Sequence, residues 1–574
     1  MNLHSLKRIL LPLGMAVMAT CVSCINVDYG LGSDFLATDQ QFDTFIAEFP
    51  LENIRMIPAD SLSGYSQTRI TIGALRDDAF GLTTRSCALT LVPARDTLDF
   101  GNVAAAKVVR FHFAAVADSV SVASLDQSNI IQQVRVHSLA APISPGNDYD
   151  CLGSSVSVDR SVSIVKGVPT VNGTDSLSFD FTEEYARRFL SLTKADLSDF
   201  SAYSRKIPGI HISTDSPAGN GGRINIFELQ LGYDADSQYI TGNYARLHLL
   251  CDYDYDGKPE KDTVFNFVYG LTAFEKVDSL VFESSLSRGS YPQYALNLTS
   301  HESRTLEGTA NITIPIEGGG GLKPVISALS LKHMAEELIR AEGGEPREAV
   351  INKASLVFPF PFPDDYREMY KFPQVLSPTC RLRQNDTLVT FASLTDAASS
   401  SENQGEINRS TLCYEPDITY HLQEILKIHE EPEEGETGID ALRRRKLLGG
   451  EYDIWLIITA HEVITTTSSN SSLNDYYQML AYQNYYNSMY YGGYGYGYGG
   501  YGYGGYGGYG YDPYTNYYSM MMMSSLYGSS SSSTSTKDML DKDRYYCGTL
   551  YGPAYPDESL RPMLELTFSL AGGE

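Results

Sequence analysis

Lys107-Val108-Val109-Arg110-Phe111-His112-Phe113 carries the pattern that decides the fold. Val109, Phe111 and Phe113 alternate with Arg110 and His112, which is the period of a β-strand with one buried face. The same alternation recurs at 245–251, 265–269 and 312–316. Such strands, separated by turn residues, predict a mostly β protein of tandem antiparallel β-sandwich, jelly-roll-like domains with a few short helices.

A helical period interrupts the strands in three places. In the first, Phe181, Tyr185 and Phe189 recur every fourth residue behind Asp180 and Thr182. The side chain of either polar residue can accept hydrogen bonds from the free N–H groups of the first turn. The third stretch, 326–341, is expected to end before a pair of glycines.

The second helical stretch looks like a copy of the first. Ile418, Leu422 and Leu426 follow Asp417 and Thr419 at the same spacing. Each helix is preceded by an alternating strand and followed by a second strand and a closing strand. These lie at 107–113, 209–213 and 244–251 in the first set, and at 352–358, 452–459 and 561–570 in the second. The repetition predicts two related sandwiches, with chance likeness among strand patterns as the alternative.

The composition divides the rest of the chain. We predict a first β-sandwich region at 42–320 and a second at 321–464, closed by a strand within 538–574. Between the second region and its closing strand lies an insert at 465–537 that is rich in Tyr, Gly and Ser. So much glycine makes backbone ordering too costly for a packed fold, so the insert should protrude between two paired strands. It is either a tolerated insertion without a role or an adhesive arm.

The first 23 residues have the three parts of a secretory signal peptide. Lys7 and Arg8 precede an apolar run at 9–19, and the small residue Ser23 stands directly before Cys24. This ending resembles the cleavage box of bacterial lipoproteins, in the Ser-Cys form common in Bacteroidetes. The resemblance implies that Cys24 carries a diacylglycerol and a third acyl chain, that 24–41 is a lipidated tether, and that the chain is membrane-anchored. An ordinary signal peptide is the alternative.

Charge and cysteine content limit the partners and the covalent links. A formal charge of −27 argues against nucleic-acid binding, which depends on cationic patches. Six cysteines follow Cys24: Cys87, Cys151, Cys251, Cys380, Cys413 and Cys547. They are widely spaced, so an exported protein could hold them either as disulfides or as scattered buried thiols.

One acidic loop has the pattern of a calcium site. Asp252, Asp254 and Asp256 alternate before a glycine, and Glu260 and Asp262 lie close behind. Calcium takes about six or seven oxygen ligands, which alternating carboxylates around a tight turn can supply. The alternative is a solvated hairpin turn, where Asp and Gly are also common. No other metal or cofactor site is predicted.

Several short motifs in a fixed order resemble an uncharacterised Bacteroidetes lipoprotein family, the domain of unknown function 4270 family. They are Leu31-Gly32-Ser33-Asp34-Phe35-Leu36, Asp78-Ala79-Phe80-Gly81-Leu82, Ile207-Pro208-Gly209-Ile210-His211-Ile212, Ile351-Asn352-Lys353-Ala354-Ser355-Leu356 and Arg561-Pro562-Met563-Leu564-Glu565-Leu566. The resemblance implies an envelope location and a β fold but brings no activity. The second half also looks like sandwich modules of secreted bacterial proteins, some of which bind polysaccharide.

The remaining residues do not form a catalytic signature. There is no nucleophile elbow, phosphate loop or paired-histidine zinc helix in the sequence. Trp455 alternates within an apolar strand, which favours core packing, and the basic run 443–446 beside the acidic run 430–436 is expected to form a solvated loop. We therefore predict an outer-membrane lipoprotein, at the periplasmic face or the cell surface, with a non-enzymatic binding or scaffolding role beside other envelope proteins. A carbohydrate-binding surface lipoprotein is the alternative, and a glycan hydrolase with two facing carboxylates is the second.

Overall fold

The computed structural model describes most of the chain after residue 41. The described ranges are 42–65, 69–94, 98–143, 149–153, 155–173, 175–229, 231–234, 239–242, 244–269, 295–302, 306–383, 387–399, 404–466 and 533–571. The predicted signal peptide, Cys24, the tether and most of the insert lie outside these residues. In the described part of the chain, no helix combines the length and hydropathy needed to cross a membrane.

The described strands follow one another along nearly the whole chain. They are β1 Phe42–Pro50, β2 Ile54–Pro58, β3 Arg69–Asp77, β4 Gly81–Leu89, β5 Val92–Pro93, β6 Lys107–Val122, β7 Ile131–Leu139, β8 Val158–Ser163, β9 Thr170–Asn172, β10 Leu177–Asp180, β11 Ile210–Thr214, β12 Gly221–Glu228, β13 Leu231–Asp234, β14 Tyr239–Gly242, β15 Tyr244–Cys251, β16 Lys261–Val268, β17 Ala295–His301, β18 Gly308–Thr309, β19 Thr313–Pro315, β20 Leu322–Ile326, β21 Val350–Pro359, β22 Val375–Arg383, β23 Val389–Ser393, β24 Ile407–Asn408, β25 Cys413–Tyr414, β26 Ile454–Thr466, β27 Ser533–Leu540, β28 Thr549–Tyr551 and β29 Met563–Ala571.

The helices are short and few. They are α1 Glu183–Leu190, α2 Lys194–Ser198, α3 Phe200–Lys206, α4 Ala328–Ala341, α5 Thr395–Ser399, α6 Thr419–Leu426 and α7 Gly438–Leu448, with 3-10 turns at Leu125–Gln127, Tyr366–Lys371 and Glu558–Leu560. Every strand pairing between named strands is antiparallel, so the mostly β, sandwich-rich fold with a few helices is confirmed.

The long strand β6 joins the two sheets of the first half. Its first part pairs with β10 and β15, and its last part pairs with β12 in a sheet that continues through β3, β4, β11, β7 and β8. Phe111 and Phe113 are buried in the core between the sheets, as the alternation predicts. Val109 is 45 % exposed instead. The register against β15 shifts between Val108 and Arg110, so Val109 is the extra residue of a β-bulge.

The second half has its own core and two larger sheets. Their strand orders are β1-β29-β21-β25-β24 and β18-β2-β20-β26-β22-β23. Phe42–Pro50 and Ile54–Pro58, assigned from sequence to the first region, therefore pair with strands of the second. Gly308–Thr309 and Thr313–Pro315 also pair there, which places the change of sheet before the predicted boundary at residue 320. Strand pairing between distant segments leaves no local signal in the sequence.

The predicted internal repeat has a counterpart in the strand pairing. The closing strand β15 pairs with β6, and the closing strand β29 pairs with β21. Each helix start also bonds to the strand before it in the same way. Phe181 N donates to Phe111 O at 2.8 Å, and Ile418 N donates to Ala354 O at 2.8 Å. The two halves thus place a short helix on equivalent strands.

The two helix starts differ in their caps. Thr182 Oγ1 accepts a hydrogen bond from Tyr185 N at 3.2 Å, which is the cap expected from sequence. In the second half, Thr419 lies inside the helix. Asp417 Oδ1 accepts from Thr419 N at 2.8 Å, as expected from sequence, and the N–H groups of Tyr420 and His421 donate to the carboxylate of Asp396, at 2.6 and 3.1 Å. A cap supplied from a distant residue could not be read from the local sequence.

Two helical expectations need correction. The third helix begins at Ala328, behind the cap Ser327, because Ile326 belongs to β20. The region expected to be a solvated loop contains α7, whose start is held by reciprocal hydrogen bonds between Thr437 and Asp440. Only Leu447 of α7 is buried, so the helix has no apolar period to reveal it.

The strands on either side of the Tyr/Gly insert do pair. Thr459 to Thr466 of β26 run antiparallel to Ser533 to Leu540 of β27. The predicted pairing of the flanking strands is therefore confirmed, but residues 465–466 and 533–537, assigned to the insert from sequence, belong to these strands, and the rest of the insert lies outside the described residues. After β27, the chain enters the segment 541–547, which lies between the two halves.

Arg223 forms a buried hydrogen-bonded centre in the first half. Its side chain is fully buried on β12, and Nε donates to Asn225 Oδ1 at 2.7 Å. Nη1 donates to the carbonyls of Ser128 and Ile130 at 2.9 and 2.6 Å, and Nη2 donates to Val171 O at 3.0 Å. Burial lowers the pKa of Arg223 to about 10. These bonds join the turn before β7 and the strand β9 to β12.

The remaining cysteines and the single tryptophan are structural. Cys87, Cys151, Cys251, Cys380, Cys413 and Cys547 are free thiols, and all but Cys547 are buried. The described chain thus realises the buried-thiol alternative. Trp455 packs beside Val325 and Ile457, which confirms its predicted place in a core.

Candidate functional site

Several charged side chains lie buried between the two halves, among them Arg85, Glu317 and Lys323. The turn Glu317-Gly318-Gly319-Gly320-Gly321 covers them closely. A Cβ added to Gly319 would lie 2.3 Å from Arg85 Nη2, and one added to Gly320 would lie 2.5 Å from Cys151 Sγ. Only glycine allows the turn to approach these side chains so closely. We call the turn Glu317 to Gly321 and the charged groups beneath it the seam. These groups are Arg85, His301, Lys323 and Asp543.

Arg85 is the central cation of the seam. It is 4 % exposed, and its Nε makes no hydrogen bond within the described residues. Burial lowers the pKa of Arg85, while the nearby groups of Cys151, Asp543 and Glu317 act in the opposite direction. A guanidinium held in this way depends on the surrounding charges rather than on direct hydrogen bonds for its stability.

Several further ionisable groups lie in the same region. His301 Nε2 is 2.8 Å from Asp60 Oδ1, and His301 Nδ1 is 4.0 Å from Glu317 Oε1. Lys323 donates through Nζ to the carbonyl of Glu317, and burial lowers its pKa to about 8. Burial also raises the pKa of the Cys151 thiol to about 11, which disfavours the nucleophilic thiolate.

Residues 541–547 connect the seam to the first half. Lys542 Nζ donates to the carbonyls of Ser63 and Tyr65 at 3.0 and 2.9 Å. Asn297 Nδ2 donates to Asp543 Oδ1 at 3.1 Å, and burial raises the pKa of that carboxyl. The buried groups therefore tie the two halves together. No periodic pattern in the sequence identifies these groups, and the tetraglycine run that follows Glu317 is the one available signal.

The predicted calcium loop does not assemble a ligand set. Asp252 uses its carboxylate within the turn, where Oδ2 accepts from Gly257 N at 2.9 Å and from Asn102 Nδ2 at 3.0 Å. Asp256 Oδ1 accepts from Lys258 N at 2.8 Å. These contacts are those of the solvated hairpin turn, the alternative interpretation of the pattern.

The other three acidic residues of the pattern point to the same conclusion. Asp254 and Glu260 are exposed, and Asp262 Oδ1 lies 2.5 Å from His248 Nε2 across two strands. Within the described ranges, no three His, Cys, Asp or Glu side chains are grouped closely enough to hold a metal ion. The alternation in sequence therefore reflects a turn followed by a strand.

A row of polar side chains crosses the outer face of the first half. Asp180, His112, Arg246 and Asn266 occupy paired positions on β10, β6, β15 and β16. His112 Nδ1 lies 2.8 Å from Asp180 Oδ1, and Arg246 Nε donates to Asn266 Oδ1 at 3.1 Å. The Arg246 guanidinium also lies 4.4 Å from the centre of the Tyr244 ring. The row combines a planar ring with groups that recognise hydroxyl groups.

Among the described residues, the most exposed large apolar side chain, Ile46, belongs to β1. This strand pairs with β29 along all its residues, and no described strand pairs with its other edge. Phe45 stacks on Phe568 at 5.3 Å on the inner face. On the outer face, Ile46 is 81 % exposed and Phe42 is 57 % exposed. Free edges are normally protected by charged side chains, especially lysine, by internal proline or by a bulge; β1 has Asp43 and Glu48, no lysine, and a proline only at its last residue.

Comparison of the chain with family models, with curated proteins and with solved structures found no match. The resemblance to the lipoprotein family thus stays a prediction from short motifs. The free edge of β1, the polar row and the seam are the features from which a function has to be inferred.

Proposed function

We propose that this protein is a lipid-anchored outer-membrane lipoprotein that binds envelope proteins through the free edge of β1 and acts as a non-enzymatic scaffold. The observation that carries the proposal is the edge itself, with Phe42 and Ile46 exposed on it. An open edge offers a row of backbone N–H and C=O groups to which another strand can add.

The charges and the core support a binding role for this strand. Asp43 and Glu48 are its only charged residues. They keep the strand soluble, while the apolar residues between them supply the contact area that a paired strand would cover. Because Phe45 is fixed by Phe568, the edge is presented in a fixed register.

The seam supports the scaffold part of the proposal. Lys542 and Asp543 link the second half to the first through hydrogen bonds to Ser63, Tyr65 and Asn297. A partner held at β1 would therefore be held by one rigid body rather than by a loosely attached domain. The predicted lipid at Cys24 would keep this body at the membrane.

The proposal predicts a position-specific contact in intact envelopes. A photo-crosslinking amino acid at Ile46 is expected to give a discrete adduct, whereas the same group at Ile131, which is 71 % exposed on β7, should give none. Cys24→Ser is expected to move the protein from the membrane to the soluble fraction and to weaken the adduct. Equal adducts at both positions, or none at Ile46, would contradict the binding role.

A second candidate function, carbohydrate binding, is favoured by the polar row. His112, Arg246 and Asn266 can hydrogen-bond sugar hydroxyls beside the ring of Tyr244. Affinity electrophoresis in gels that contain soluble polysaccharides should then retard the protein. The double variant His112→Ala/Arg246→Ala should lose the retardation, while Arg135→Ala, which removes an exposed arginine elsewhere, should keep it. Unretarded migration of the wild-type protein in every gel would rule this candidate out.

A further inference from the structure

We propose that the occupant of the β1 edge is a second copy of this chain, with the two β1 strands paired antiparallel about Thr44. The inference rests on the proposed function, because it requires the edge to bind a strand. It names the partner and the register in which that partner binds.

The register follows from the two exposed apolar side chains. In a twofold antiparallel pair centred on Thr44, Phe42 lies opposite Ile46 of the second copy, and Ile46 lies opposite Phe42 of the second copy. Both residues lie on the outer face, so the dimer contains two Phe42–Ile46 contacts, one on each side of the twofold axis. Aromatic and β-branched residues form favourable cross-strand pairs.

Neighbouring registers are less complementary. A pair centred on Phe45 would set Phe42 opposite Glu48 of the second copy, and a pair centred on Ile46 would set Phe42 opposite Pro50. In the register about Thr44, Asp43 faces Phe45 of the second copy. No carboxylate faces another carboxylate there, so the pairing avoids direct repulsion between like charges.

The anchor and the net charge set the conditions for pairing. Two chains of charge −27 repel each other, so the dimer should be favoured by salt, which screens exposed charges. Anchoring both copies in one leaflet raises their effective concentration. In the register about Thr44, Phe42 of one copy is four residues along the pair from Phe42 of the other, so the two strand starts lie about 14 Å apart. Fully extended, residues 24–41 reach about 60 Å, so both lipids can occupy the same leaflet.

Cysteine cross-linking in membranes that contain the full-length mature protein tests the pairing. Thr44→Cys places the two thiols opposite each other at the twofold axis, within reach of a disulfide. Mild oxidation is expected to give a covalent dimer on non-reducing gels. Ile46→Cys and Ile131→Cys should give at least several-fold less, because neither thiol faces its own copy in this register.

A charge exchange tests the register independently. In the Thr44→Cys background, Ile46→Lys alone or Phe42→Glu alone should lower cross-linking about tenfold, since each loses two cross-strand pairs worth about 0.7 kcal/mol apiece. The two substitutions together should restore cross-linking, because each ammonium then faces a carboxylate of the second copy. Failure of the double variant to recover would overturn the register about Thr44.

The outcomes separate this inference from the proposed function. A photo-crosslink from Ile46 to a different envelope protein, with no dimer from Thr44→Cys, would overturn the second copy and leave the binding role standing. No adduct from Ile46 and no dimer from Thr44→Cys would overturn both. Dimers of equal yield from Thr44→Cys and Ile131→Cys would show random collision and would also overturn the inference.

Discussion

Replacing Arg223 with methionine is expected to lower the free energy of unfolding by about 4 kcal/mol. Methionine keeps much of the apolar volume but removes every donor of the guanidinium. The carbonyls of Ser128, Ile130 and Val171 and the side-chain oxygen of Asn225 would then lose their bonds from Arg223. Each buried acceptor left unpaired costs about 1–3 kcal/mol, which the relief of burying a cation offsets only in part.

Urea denaturation followed by circular dichroism measures this loss, and Arg135→Met is the matched control. Arg135 is also on a strand of the first half, but its guanidinium lies at the surface beside Asp215. Surface ion pairs contribute little to stability, so the control should unfold within error of the wild-type midpoint. A loss below about 1 kcal/mol for Arg223→Met would show that water replaces the lost donors.

Arg223 also shows which features of the fold can be predicted from the sequence. The alternation at 107–113 and 245–251 identified strands and their buried faces, because burial of every second residue is a local property. Thr182 could be recognised as a cap because its bond to Tyr185 N is also local in the sequence. The carbonyls that Arg223 binds come from the turn before β7 and from β9, and part of the cap of α6 comes from Asp396. Contacts between segments far apart in the chain leave no period to read.

The candidate sites differ in the same way, because some depend on local sequence and others on contacts between distant segments. The alternating aspartates predicted converging ligands, but a turn also needs side-chain oxygens, and Asp252 gives its carboxylate to backbone N–H groups. The free edge of β1 was hidden because Phe42–Pro50 was assigned to the first region. Its pairing with β29, near the other end of the chain, is what leaves Ile46 exposed.

The seam was the least predictable feature. Gly318 to Gly321 could be read as a flexible link between two domains, whereas the structure uses them for close approach to Arg85 and Cys151. Glycine permits both roles, and only the residues beneath the turn decide between them. This difference can be measured, since a flexible link tolerates a methyl group and a close contact does not.

Gly319→Ala is accordingly expected to lower the free energy of unfolding by about 3 kcal/mol. The backbone φ of Gly319 is +65°, which costs alanine about 1 kcal/mol. Its methyl group would also lie 2.3 Å from Arg85 Nη2 and force that buried guanidinium to move among its charged neighbours. Overpacking of this kind adds about 2 kcal/mol.

Gly167→Ala separates the cost of the backbone conformation from the cost of the close contact with Arg85. Gly167 has nearly the same φ, +68°, but nothing lies within 4 Å of its added methyl group. Thermal and urea unfolding of the two variants should therefore show a loss of about 1 kcal/mol for Gly167→Ala and about three times that for Gly319→Ala. Equal losses would mean that the turn moves freely over Arg85, and that the two halves are joined by a link rather than by a packed seam.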